Sequence, residues 1–202
     1  MKYKIIYTQD GGNNQSTLMD LDNEFTDKNT RHSYLPLYQK ILSPIKNTAK
    51  NVLEIGIHKG GSIKIWNEFF INAKIYGLDI HNNWNNIIND IKNNSKIILD
   101  ISHDAYNESF FKDNFLNKNI KFDFILDDGP HTLESMKQCI ILYSQIMTEN
   151  GILIIEDVQS IDWIDKLKDV TPEHLKQYIH VYDLRNNKGR YDDIVFVINK
   201  NL

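Results

Sequence analysis

A chain of 202 residues, 41% hydrophobic and 25% charged, has the composition of one globular domain with length enough for a full core. Its net charge of −4 leaves no basic footprint for nucleic acid or an anionic membrane, so neither is expected as a partner. No apolar run reaches bilayer length, the first residues hold too short an apolar core for a signal peptide, and the lone Cys139 excludes an intrachain disulfide or a cysteine-based zinc site. A reducing, cytoplasmic setting is the expectation, with Cys139 a small core residue of a helix and not a nucleophile.

Residues 4–8 could form a strand, followed by the polar GGNNQ, an irregular or mobile stretch. One helix is expected from about 34–36 to just before Pro44, with Tyr34, Leu37, Tyr38 and Ile41 on an apolar face. From Asn51 strands and helices alternate. Strands are expected at NVLEIG, KIYGLDI and KIILDI, with helices over 61–70, 84–92 and 104–115. A strand over 122–126 follows, then a helix with Leu133, Met136, Ile140, Tyr143 and Met147 at spacings of three and four, closed by Gly151, and a strand over 152–155. Ser160 can cap a helix bearing Ile161, Ile164 and Leu167, and Thr171-Pro172-Glu173 marks another helix start. YIHVYDL and DIVFVIN read as two strands joined by a connection short enough for a hairpin. With no repeat or linker, residues 1–202 read as a single domain. The expected fold is α/β: a Rossmann-like, doubly wound, seven-stranded sheet, mostly parallel with one antiparallel strand near the C-terminus. Residues 1–48 form an N-terminal segment with a helix that covers the site, and 49–202 form the core.

Two places along the strand ends carry chemistry. The first strand runs into Glu54-Ile-Gly56-Ile-His-Lys-Gly60-Gly61-Ser62, where glycines let a ligand approach the backbone and a helix N-terminus offers free N–H groups. Asp79 closes the second strand, where an acid can accept ribose hydroxyls, and Asp100 closes the third, where an adenine edge could lie. Bland turns and caps are the competing explanation. An adenosine pocket would suit NAD or S-adenosylmethionine, and a G-x-x-x-G-G turn departs from the G-x-G-x-x-G of NAD binders.

The second place is the stretch KFDFILDDGPHTLESMKQCIILYSQIMTENGILIIEDV, a strand, a helix and a strand. It places Asp127, Asp128 and His131 after one strand and Glu156 and Asp157 after the next. In open α/β sheets, ligands bind beyond such ends. Asp127 is assigned to the cofactor side. The alternative is that Asp128 caps the following helix and the other acids are solvated.

The turn Glu54, Gly56, Gly60 resembles the E/D-x-G-x-x-x-G motif of the class I methyltransferases. The segments TDKNTRHSYLPLYQKIL, LDDGPH and IIEDV resemble, more narrowly, the metal-dependent sugar O-methyltransferases of macrolide biosynthesis and the rhamnosyl O-methyltransferase and cephalosporin hydroxylase group. That resemblance implies Mg²⁺ held by Asp128, Glu156 and Asp157, His131 as general base, and S-adenosylmethionine at Glu54, Gly56, Gly60, Gly61, Ser62, Asp79, Asp100 and Asp127. Residues Lys28, His32 and Tyr34, ahead of the first strand, are candidates for substrate contact, against plain packing of an N-terminal helix. The implied reaction is Mg²⁺-dependent methyl transfer to a hydroxyl of a sugar or glycoside. A catechol-type O-methyltransferase and a non-catalytic adenosyl-binding protein are the alternatives. An iron oxygenase is disfavoured by the lack of a histidine pair with a carboxylate at iron-binding spacing. Self-association into a homo-oligomer is compatible with the sequence.

Overall fold

The computed structural model describes residues 5–6, 17–21 and 24–202. Eight strands form one sheet: β1 (Ile5–Ile6), β2 (Asn51–Ile55), β3 (Lys74–Asp79), β4 (Ile97–Ile101), β5 (Phe122–Asp127), β6 (Met147–Ile155), β7 (Ile179–Asp183) and β8 (Ile194–Asn199). The helices are α1 (Tyr34–Leu42), α2 (Gly61–Phe69), α3 (Asn89–Lys92), α4 (Glu108–Phe111), α5 (Leu133–Tyr143), α6 (Trp163–Val170) and α7 (Arg185–Lys188). The strand order is β1-β7-β8-β6-β5-β2-β3-β4, and β8 alone runs antiparallel to its neighbours. Apart from the two-residue β1, this is the expected seven-stranded Rossmann-like sheet. β1 falls inside the expected strand over 4–8, whose other residues, like GGNNQ, lie outside the described residues.

The chain winds from β2 outward to β4, then returns to the other side of β2 to lay down β5. That reversal opens a crevice at the carboxyl ends of β2 and β5, the place where doubly wound sheets bind ligands. Successive strand residues face opposite layers. Phe124, Leu126, Ile152 and Ile154 join a core under α1 and α2 that includes Leu35, Tyr38 and Trp66. Ile125, Leu153 and Ile155 join the core under α5 and α6 with Met136, Ile140 and Leu167. Strands buried on both faces need continuous apolar runs, and so lack simple alternation.

Four expected elements differ in detail. The helix over 84–92 is broken: a 3₁₀ turn at Trp84–Asn86 and α3 are separated by Ile87 and Ile88 in extended conformation. This seats Ile91 against Gly60. The helix over 104–115 begins only at Glu108, where the Asn107 side chain accepts from the Phe110 N–H, and it widens into a π-helical turn at Lys112–Leu116. α5 stops at Tyr143, so Met147 belongs to β6 and pairs with Phe122, and Gly151 lies inside β6 and not at a helix end. α6 begins at Trp163, with Ser160 two residues before its cap, Asp162.

Candidate active site

The turn after β2 is shaped by steric necessity. Gly56 has φ 86°, and a β-carbon there would lie 2.0 Å from the Asp128 carbonyl oxygen, so the β2 and β5 ends approach as only glycine permits. The Asp128 N–H donates to Ile55 O at 2.9 Å across the same gap. A β-carbon on Gly61 would lie 2.3 Å from the Phe25 backbone, so residues 25–26 lie against the first turn of α2.

A cleft of about 810 Å³ opens here, within the range that takes a small-molecule ligand. Its walls come from the glycine turn, the ends of β3 and β5, the stretch 104–106, and residues 24–27 with Arg31. Asp79 lines it. One oxygen of Asp79 accepts from the Ile57 and His58 N–H groups at 3.2 and 3.0 Å, the other from the His81 N–H at 2.8 Å. Three of about four lone-pair positions are thus used, and one remains for a ligand hydroxyl. Gly56 and Ser62 also line the cleft. Glu54, Gly60, Gly61, Asp100 and Asp127 do not. Glu54 is fully buried behind the turn and accepts from Ser62 Oγ at 2.6 Å and Trp66 Nε1 at 2.8 Å, which ties α2 to β2. Asp100 pairs with His103. Asp127 accepts from Gly129 N–H and the Tyr106 hydroxyl on one oxygen, while its other oxygen is buried without a partner. Burial pushes its pKa up to about 6 against those bonds.

At the mouth of the cleft the strand-end acids converge. Asp128, His131 and Asp157 each bring one ligand atom within 4.8 Å of the others. His131 Nε2 lies 3.7 Å from Asp128 Oδ1 and 3.5 Å from Asp157 Oδ2. Both His131 (φ 54°) and Asp157 (φ 55°) hold left-handed backbone, as does His58 (φ 49°), which also lines the cleft. Such conformations are uncommon outside glycine, although His and Asp adopt them more readily than most residues, and they recur where a site must aim its side chains. Helix α5 is capped by Thr132 and not by Asp128: Thr132 Oγ1 accepts from the Ser135 N–H.

Behind the acids lies the N-terminal segment. Lys28, 1% exposed, donates from Nζ to Asp128 Oδ2 at 2.7 Å and to Glu156 Oε1, and Glu54 Oε1 is 3.7 Å away. Burial opposes its charge, yet the surrounding acids hold its pKa well above the usual lysine value. The Tyr34 hydroxyl donates to Asp157 Oδ1 and the Tyr38 hydroxyl to Glu156 Oε2. His32 bonds Asp193 Oδ1 through Nδ1 at 2.6 Å and stacks on Tyr34. Lys28, His32 and Tyr34, the candidates for substrate contact, are therefore buried next to the acids and off the cleft wall. Tyr38, Tyr106 and Asp193 escaped the sequence reading. Tyr38 was legible only as a core residue, because its spacing of four from Tyr34 says nothing about its hydroxyl.

A divalent cation fits this cluster. Three carboxylates, Glu54, Asp128 and Glu156, lie within 4 Å of the Lys28 ammonium, and a fourth, Asp157, stands beside His131. Burial and mutual repulsion raise Glu54, Asp128 and Glu156, with Lys28 working against the rise. The excess negative charge, and the hard oxygens Asp128 Oδ1 and Asp157 Oδ2 left facing the cleft, suit Mg²⁺. Glu156 has Lys28 and Tyr38 on its two oxygens in this arrangement and would add a third carboxylate through a further lone pair.

The strand order and the glycine turn at its switch point define the fold of the class I S-adenosylmethionine-dependent methyltransferases. Among characterised proteins, the chain is 28% identical over 139 residues to mycinamicin VI 2''-O-methyltransferase of Micromonospora griseorubida, covering 65% of this chain and 33% of that enzyme. It is 22% identical over 145 residues to the 8-demethyl-8-alpha-L-rhamnosyl tetracenomycin-C 2'-O-methyltransferase of Streptomyces olivaceus, covering 68% and 36%. The chain thus spans about a third of the length of the curated relatives it matches. Among solved structures, the MycE methyltransferase of mycinamycin biosynthesis with Mg and SAH superposes with a TM-score of 0.58 and 27% identity, covering 66% of this chain and 34% of that one. A second MycE structure, with Mg, SAH and mycinamycin VI, superposes with a TM-score of 0.65 at 21% identity, covering 87% and 52%. No protein-family profile matches the chain. Among the described residues, no helix is long and apolar enough to cross a membrane.

Proposed function

We propose that this chain is the catalytic domain of an S-adenosylmethionine-dependent O-methyltransferase acting on a hydroxyl of a sugar or glycoside, with Mg²⁺ at the strand-end acids. The observation that carries this reading is the convergence of Asp128, Asp157 and His131 at the mouth of the cleft that opens beside the glycine turn. Similarity to sugar O-methyltransferases supports it. The methyl donor fits the wall formed by the glycine turn and Asp79, whose remaining lone pair can take a ribose hydroxyl. Mg²⁺ would be held by Asp128 and Asp157 with Glu156 beside them, and it supplies a hard positive charge that makes a neighbouring hydroxyl more acidic.

The chain's own residues do the rest. His131 Nε2, 3.7 Å from Asp128 Oδ1 and 3.5 Å from Asp157 Oδ2, takes the proton of the reacting hydroxyl in this reading. Its backbone turn brings the ring to the cleft wall. Such a base contributes about 10²–10⁴ in rate. Glu54 braces the turn through Ser62 and Trp66, and Lys28 limits the repulsion among the acids.

The test is an assay of methyl transfer to free glycosides, nucleotide sugars and catechols, with Mg²⁺ or EDTA. The expected result is transfer to a glycoside or nucleotide sugar that EDTA abolishes. His131→Ala should lower kcat by about 10²–10⁴, with little change in KM. Asp128→Ala should raise KM as well. Full activity in EDTA removes the metal from the reaction, full activity of His131→Ala removes the base, and transfer confined to catechols replaces the sugar.

A further inference from the structure

Each acid at the cleft mouth has two carboxylate oxygens, and the segment ahead of the core decides which of them faces the cleft. Lys28 takes Asp128 Oδ2, leaving Oδ1 toward His131. Tyr34 takes Asp157 Oδ1, leaving Oδ2 toward His131. Lys28 and Tyr38 together take both oxygens of Glu156, which fixes the plane of that carboxylate. The pattern follows from the helix. Tyr34 and Tyr38 are four residues apart, so α1 presents both phenols on one face, with ring centroids 5.8 Å apart, toward two consecutive strand-end acids.

The donors are suited to a cation site. A phenol orients a carboxylate without neutralising it, so the acid keeps its charge for a metal. Tyr34 is itself held from behind by the His32 ring, stacked at 4.7 Å, and His32 is pinned by Asp193. Lys28, Tyr34, Tyr38, His32, Glu156 and Asp193 are all buried, so water has little access to the bonds on the far side of the acids.

We propose that Tyr34 and Tyr38, with Lys28, are positioning residues that set the carboxylate geometry of a divalent-cation site at Asp128 and Asp157. This rests on the metal-dependent reading above, and it gives Tyr34 and Lys28 a role that acts through the acids and not through contact with the sugar. Outer groups that orient metal ligands typically carry 10–100-fold of metal affinity.

The test is Mn²⁺ binding to the full chain, followed by the loss of the free-ion electron paramagnetic resonance signal. Wild type, Tyr34→Phe, Tyr38→Phe and Tyr143→Phe are compared. Tyr143 is the control: its buried hydroxyl donates to Ala105 O at 2.7 Å and bonds none of Asp128, Glu156 and Asp157, so Tyr143→Phe reports the cost of losing a buried hydroxyl that does not hold a cation-site acid. The expected result is Mn²⁺ affinity weakened roughly 10–100-fold in Tyr34→Phe and Tyr38→Phe, and unchanged in Tyr143→Phe. S-adenosylhomocysteine affinity, read by calorimetry, should stay unchanged in Tyr34→Phe and Tyr38→Phe. Wild-type affinity in both tyrosine variants, or an equal loss in Tyr143→Phe, overturns the proposal. Failure of wild type to bind Mn²⁺ instead overturns the metal reading. A crystal structure of Tyr34→Phe then decides the positioning role: an Asp157 carboxylate rotated away from His131 sustains it, and an unmoved one overturns it.

Discussion

Asp127 shows how far one residue's environment can depart from its place in a motif. It follows three apolar residues and precedes Asp128, so the pair looks alike in sequence. In the fold Asp127 is 3% exposed, with Oδ2 unpartnered, while Asp128 faces the acid cluster. Burial raises the Asp127 pKa from 3.8 to about 6. The native state therefore holds a proton that the unfolded chain has already released between those values, and stability falls as pH rises across that window. Asparagine carries no such proton and keeps an acceptor for Tyr106 and Gly129. Asp127→Asn should thus gain about 2–3 kcal/mol over wild type at pH 8 and little at pH 4, measured by urea unfolding. Parallel profiles for the two proteins would mean that Asp127 is ionised without penalty.

At the scale of elements, the stretch from Glu24 to Ser33 behaves as a strap. Its backbone turns on Asp27, whose carbonyl accepts from the Thr30, Arg31 and His32 N–H groups. Lys28 ties it inward to the acids, and Lys188 of α7 ties it outward, donating to Asn29 O at 3.0 Å and Thr30 O at 2.8 Å. Glu24, Phe25, Thr26, Asp27 and Arg31 line the cleft, so a ligand there touches the strap directly. Backbone amides of 24–33 should exchange more slowly with S-adenosylhomocysteine present than without it. Equal protection in both states would reduce the strap to a packing element.

The whole molecule is held as one unit by the sheet between its two cores. Phe124 sits in the middle of β5, fully buried, with its ring edge-on to Trp66 at 5.4 Å and near Phe70 at 6.0 Å. It joins β5, which carries Asp127 and leads into Asp128, to α2, which carries Ser62. Phe124→Ala should cost about 3–5 kcal/mol and lower the urea midpoint in a single transition seen alike by fluorescence and far-ultraviolet circular dichroism. Two separated transitions would show that the cofactor wall and the acid wall unfold independently.

The order of elements was legible in the chain because buried parallel strands demand short apolar runs and their crossovers demand helical spacing, both of which are local. So was the placement of the acids at strand ends, while their convergence also needed β5 and β6 to lie side by side in the sheet. The glycine turn was legible because a positive φ at Gly56 and close strand approach leave no other residue type. Tertiary structure alone decided the remainder. Glu54 belongs to the turn motif, yet it faces the Trp66 layer by strand alternation and is spent on bracing α2. Lys28 and Tyr38 are far from the acids in sequence, and nothing local tells an apolar-face tyrosine from one whose hydroxyl meets a carboxylate. That distinction arises only when α1 is laid across the sheet, where a buried acid without water must find its donors from whatever packs against it.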